Sequence, residues 1–150
     1  MNILTMPGHV IRRLNQKSTH IFMARMQEAG VDLTPVQFAA LDAIRAHPGQ
    51  DQASIAATIA YDRATIGGVI ERLMQKGYVE RVVSNRDRRA RVITLTDAGE
   101  HAYTMILPVV DNLQDDILAG LTQDERKVFL SLANKALNRS DASEDATDLS

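Results

Sequence analysis

The feature that most restricts how this chain can fold is the run Ser84-Asn85-Arg86-Asp87-Arg88-Arg89-Ala90-Arg91, set between two short β-prone segments, Tyr78 to Val83 and Val92 to Leu95. A polar turn between two such segments reads as a hairpin. A packed core has no use for so much positive charge in one turn, because buried charge must be paired. A hairpin that presses against a polyanion does. The formal net charge of the chain is only −2, yet between Arg63 and Arg91 there are eight basic residues and three acidic ones. After Ala136 the balance reverses, with Arg139 against Asp141, Glu144, Asp145 and Asp148. Local field, not total charge, steers a protein toward phosphate.

Around the hairpin the apolar residues recur at helical spacing. Val10, Ile11, Leu14, Ser18, Ile21, Phe22 and Met26 predict a long first helix from about Pro7 to Ala29, stopped by Gly30. Thr34-Pro35-Val36-Gln37 combines an N-cap, a proline suited to the first helical position and a capping-box glutamine. It opens a second helix that ends at His47-Pro48-Gly49. A third helix is expected from about Asp51 to Ala60. After the turn Tyr61-Asp62, a fourth covers Arg63 to Gln75, with Asp62 as its N-cap and Gly77 beyond its end. Two short helices joined by a tight turn are a helix-turn-helix. The hairpin that follows makes it a winged one. A fifth helix starts at Thr96-Asp97, contains Pro108 and closes at Gly120; proline there should kink it or leave a carbonyl unpaired. Thr122 and Glu125 form a second capping box, opening a sixth helix that reaches Leu137.

The expected architecture is mainly α with a small β-wing. Residues 1–33 form an N-terminal dimerisation helix, 34–96 a winged helix-turn-helix, 97–138 C-terminal dimerisation helices, and 139–150 a disordered acidic tail. The terminal helices carry more apolar surface than one small domain needs, which suggests an intertwined homodimer. With no cysteine there is no disulfide, thiolate metal site or cysteine redox sensor. The N-terminus is too short and uncharged for a signal peptide, and no apolar run approaches a membrane span, so a soluble cytoplasmic protein is expected. His9, His20, His47 and His101 have neither tight metal-ligand spacing nor a triad context, and Gly67-Gly68 lies inside a helix rather than in a phosphate-cradling loop. No enzyme activity, cofactor or metal is expected. A metal site assembled only in three dimensions stays open, as does a winged helix that binds protein instead of nucleic acid.

The block Asp62-Arg63-Ala64-Thr65-Ile66-Gly67-Gly68-Val69-Ile70-Glu71-Arg72-Leu73, then Lys76-Gly77-Tyr78-Val79, Asp87-Arg88-Arg89 and Leu95-Thr96-Asp97-Ala98-Gly99, resembles the MarR family of transcriptional regulators. The resemblance runs from about Val10 to Leu137. It implies a dimer with two DNA-binding lobes, and a ligand cleft between the dimerisation helices and each lobe. It also implies double-stranded DNA as partner, in the form of a pseudo-palindromic operator, with repression as the commoner outcome.

The fourth helix is then the reader of the major groove. Its groove face should include Arg63, Ala64, Thr65, Gly67 and Gly68. Arg63 can make a bidentate contact to guanine, Thr65 can bond a base or a phosphate, and Ala64 can touch a thymine methyl. Each glycine costs about 0.8–1 kcal/mol relative to alanine in a helix interior. Close approach of DNA would explain the pair, and so would close packing against the first or third helix. Arg72 is expected on phosphate, or paired with Glu71 or Glu80. Gln52 and Ser54 are candidate phosphate donors. In the resembled family a wing arginine enters the minor groove braced by an aspartate, which assigns Arg89 and Asp87 those roles. Arg86, Arg88 and Arg91 then neutralise phosphate or insert in its place.

The resemblance further implies a small effector, for many members an aromatic carboxylate, held by helices one, two and five. His9, Arg13 and His20 are the polar groups to meet an anion. Phe22, Met23, Phe38 and Leu41 are candidate apolar walls. The competing readings are a hydrogen-bonded interface role for the histidines, an acid partner across the dimer for Arg13, and ordinary core for the aromatics.

Overall fold

Pro7 opens helix α1 (Pro7–Ala29) in the computed structural model, which describes residues 2–59, 61–84, 86–87 and 91–145, with side chains as far as 138. A short 3-10 turn, Ile3–Thr5, precedes it, and Gly30 ends it at φ 69°, a left-handed cap that a side chain would resist. Helix α2 (Pro35–Ala46) starts on the full capping box: Gln37 N–H donates to Thr34 Oγ1 at 3.3 Å, and Thr34 N–H donates to Gln37 Oε1 at 3.2 Å. Helices α3 (Gln52–Thr58) and α4 (Arg63–Gln75) begin on aspartate caps, Asp51 and Asp62. Strands β1 (Val79–Val83) and β2 (Arg91–Leu95) pair antiparallel, Val79 opposite Leu95 and Val83 opposite Arg91. Gln50 adds one bridge on the far side of β2, its carbonyl accepting from Ile93 N–H at 2.9 Å.

Helix α5 (Asp97–Ile117) passes through Pro108 without a break. Proline has no N–H, so the carbonyl of Thr104 loses its usual helical donor. Helix α6 (Gln123–Asp145) opens on the Thr122–Glu125 box, with bonds of 2.9 and 3.2 Å. It continues through 139–145, where a disordered acidic tail was expected. No glycine or proline interrupts that stretch, and a polar helix needs only its own backbone bonds to continue. Residues 146–150 of that tail lie outside the described residues.

The chain divides into two compact units, residues 1–113 and 114–150. In the first, Met26, Leu33, Leu41, Ile44, Ile55, Ile66, Ile70, Leu73, Ile93 and Ile106 are fully buried, so α1, α2, α3, α4, β2 and α5 share one core. Residues 34–96 thus pack together with α1 and most of α5. In the second unit Arg126 Nη1 donates to Asp115 Oδ1 at 3.0 Å. Among the described residues no helix is long and apolar enough to cross a membrane.

Candidate nucleic-acid interface

Helix α4 buries Ile66, Val69, Ile70 and Leu73. By the 3.6-residue repeat, Ala64, Gly68, Glu71 and Gln75 fall on the opposite line, and all four are exposed. Arg63 flanks that line on one side, Thr65 and Arg72 on the other, all exposed. The glycine pair divides between its two expected explanations. A Cβ on Gly67 would stand 3.2 Å from Gln52 Nε2 of α3, so this position is packed against a neighbouring helix. A Cβ on Gly68 would meet nothing within 4 Å.

Several expected DNA contacts have partners inside the fold. Asp62 Oδ2 accepts from the Thr65 hydroxyl and Oδ1 from the Thr65 N–H, both at 2.8 Å, so that hydroxyl's proton is committed to the cap. Asp51 caps α3 through Ser54 N–H at 2.8 Å. Backbone N–H donation, from Thr65 to Asp62 and from Ser54 to Asp51, holds both carboxylates below their usual range. A charged Asp51 beside Ser54 makes this helix start a poor phosphate site, which counts against Ser54 as a phosphate donor. Gln52 is half-buried, and its Oε1 accepts from Arg81 Nη2 at 3.3 Å. That bond links α3 to β1.

Arg81 itself carried no role in the sequence reading. Its Nη1 donates to Glu71 Oε1 at 3.0 Å, which ties β1 to α4. That pairing leaves Arg72 without Glu71, and Arg72 makes no ion pair among the described residues. No local spacing signals a contact between residues ten apart in a helix and a strand. Lys76 was missed for the same reason. At the end of α4, its Nζ donates to the Asp32 carbonyl, bonds Gln37 Oε1 at 3.1 Å and lies 3.4 Å from the Asp32 carboxylate.

At the wing, Arg86, Asp87 and Arg91 are exposed, and Ser84 Oγ accepts from the N–H groups of Arg86 and Asp87. Arg88 and Arg89 lie outside the described residues. The base of the wing is closed by Thr96. Its N–H donates to the Tyr78 carbonyl at 3.0 Å, its hydroxyl donates to the Gly77 carbonyl at 2.5 Å, and the same oxygen accepts from Gly99 N–H at 3.1 Å. The leucine-threonine-x-x-glycine motif is therefore a structural clasp.

His20 and Met23 line an open groove of about 580 Å³ with Ala24, Met26, Gln27, Gly30, Val31 and Asp32. His9, Arg13, Phe22, Phe38 and Leu41 are not in its lining. Phe22 and Leu41 are buried in the core, the ordinary fate of an apolar helix face. Phe38 lies 6.3 Å from Phe22 and stacks on Tyr103 at 5.6 Å, with 5° between the rings. His9 is half-buried, and Arg13 is exposed. Beside the stack, the Tyr103 hydroxyl donates to Asp42 Oδ1 at 2.6 Å. Burial and then that bond push the phenol up to about 12. The Arg45 guanidinium stands 4.9 Å over the Tyr103 ring and bonds Glu100 at 2.8 Å. Among the described residues no three His, Cys, Asp or Glu side chains group to hold a metal ion.

The family model described as MarR family matches residues 31–90. The chain is 31% identical over 130 residues to the transcriptional regulator HosA of Escherichia coli, covering 87% of this chain and 93% of HosA. It is 32% identical over 131 residues to the transcriptional repressor NicR of Pseudomonas putida, covering 87% and 82%. Among solved structures, BpsR of Bordetella bronchiseptica, whose DNA binding is regulated by 6-hydroxynicotinic acid, superposes with a TM-score of 0.83. The identity is 28%, over 91% of this chain and 96% of BpsR. The transcriptional repressor CouR, bound to a 23-mer DNA duplex, superposes with a TM-score of 0.73 at 26% identity, over 88% and 92%.

Proposed function

This chain belongs to the MarR family of transcriptional regulators, and we propose that it works in the cytoplasm as a homodimeric repressor of a pseudo-palindromic operator, released by a small aromatic carboxylate. The observation that carries the reading is the outward line of α4, polar or small throughout and exposed, with Arg63, Thr65 and Arg72 along its edges and a basic wing beside it. A two-fold dimer places two such helices about one helical turn of DNA apart, which matches a palindromic site. Arg63 reads base edges, Arg72, Arg86, Arg88 and Arg91 neutralise phosphate, and Arg89 enters the minor groove braced by Asp87. CouR bound to a duplex and the repressor NicR support the DNA and repressor parts. The regulation of BpsR by 6-hydroxynicotinic acid supports the effector class.

The effector enters the groove beside His20 and Met23. It weakens operator binding only as far as it prefers one spacing of the two reading helices. The test is fluorescence anisotropy on the protein's own upstream duplex, titrated across salt, with Arg89→Ala as control. Tight binding that falls steeply with salt, saturates at one dimer per site and collapses in the variant is expected. Benzoate and 6-hydroxynicotinate are then added as probes. Binding that is weak and equal on random duplex would sink the reading.

A further inference from the structure

Gly68 is a position on α4 whose residue type the fold does not explain. It lies mid-helix, where glycine is the least favourable residue short of proline. Alanine would fit, because a Cβ there meets nothing within 4 Å. Its φ lies outside the left-handed range, so backbone conformation does not call for glycine either. Gly67 next to it differs, with Gln52 packed over it.

One turn before Gly68, on the same outward line, stands Ala64. Over the first two turns of α4 this line therefore offers only a methyl group and a bare Cα, with no hydrogen-bonding side chain. Arg63 rises on one side, Thr65 and Arg72 on the other, leaving a shallow apolar trough between polar walls. Of the groups that base edges present in the major groove, one is apolar, the C5-methyl of thymine.

We propose that Ala64 and Gly68 form a seat for a thymine methyl in each half-site, the missing Cβ at Gly68 setting how deeply α4 enters the groove. This rests on the DNA-binding reading above. On it, Gly68 determines specificity at the expense of helix stability.

The experiment uses the duplex that the wild-type protein selects from random sequences. Gly68→Ala is expected to melt at a higher temperature than wild type, yet to bind that duplex ten-fold or more weaker. Thymines in the duplex are then replaced one at a time by deoxyuridine, which keeps the base pair and removes the methyl. One thymine per half-site should cost the wild-type protein about four-fold in affinity, the worth of one buried methyl at about 0.8 kcal/mol. The same replacement should cost Gly68→Ala nothing. If Gly68→Ala binds as tightly as wild type, melts lower, or no thymine is sensitive, the seat does not exist. If wild type selects no duplex at all, the DNA-binding reading itself fails, whatever the variant's melting temperature.

Discussion

Gly99 has no room for a side chain. A Cβ there would collide with the Tyr78 carbonyl, which is backbone and cannot swing aside. That carbonyl is also held by Thr96 N–H, inside the clasp that joins the wing to α5. Gly99→Ala is expected to lower stability by about 1–3 kcal/mol, as overpacking does, measured as a fall in the urea midpoint. A midpoint equal to wild type would mean the clasp is looser than its geometry. Gly68, with open space around it, is expected to respond to alanine in the opposite direction. The sequence marks both positions only as glycine. Which one is enclosed depends on chain far away in sequence, so the residue type was legible and its reason was not.

At the scale of elements, helices α3 and α4 are set by their caps. Asp51 and Asp62 accept N–H bonds at the starts of α3 and α4, which lowers both carboxylates. A lowered folded value means the stabilisation is present above the ordinary carboxylate range. It is lost as pH falls through the lowered value. Asparagine at position 62 keeps a cap acceptor but does not titrate. Asp62→Asn should therefore lose less stability than wild type between about pH 7 and about pH 3, compared by urea melts at each pH. Equal losses would mean that the charge on Asp62 adds nothing to the cap. These helix starts were readable because a cap and its target are three residues apart. The end of α6 carries no such local mark: the helix runs on to Asp145 through an acidic, polar stretch that contains no glycine or proline.

At the scale of the molecule, apolar side chains remain uncovered near the N-terminus. Ile3, Leu4, Val10 and Ile11 are exposed, Ile11 at 64%, and so are Val128, Leu130, Leu132 and Leu137 on α6. Singly these are ordinary, but together on the terminal segments they suit the proposed homodimer. On the proposed homodimer, Ile11→Glu is expected to shift the protein from dimer to monomer in sedimentation equilibrium. Operator affinity should fall with it, since each half-site would then be bound alone. A dimer that persists would place the interface elsewhere. The excess of apolar surface was visible in the periodicity of the first helix. Which of its residues stay uncovered was not, because Phe22 and Met26 of the same helix are buried in the core.

Short-range chemistry was enough to locate the helix starts, the turn between α3 and α4 and the hairpin, since each rests on neighbours within a turn or a strand. It was also enough to recognise the family, whose motif residues are local in sequence. The pairings of Arg81 with Glu71 and Gln52, Lys76 with Asp32, and Tyr103 with Asp42 join residues 10 to 61 positions apart. So does the enclosure of Gly99 by Tyr78. Those contacts exist only once the core has brought distant segments together, and no periodicity encodes which side chains then meet.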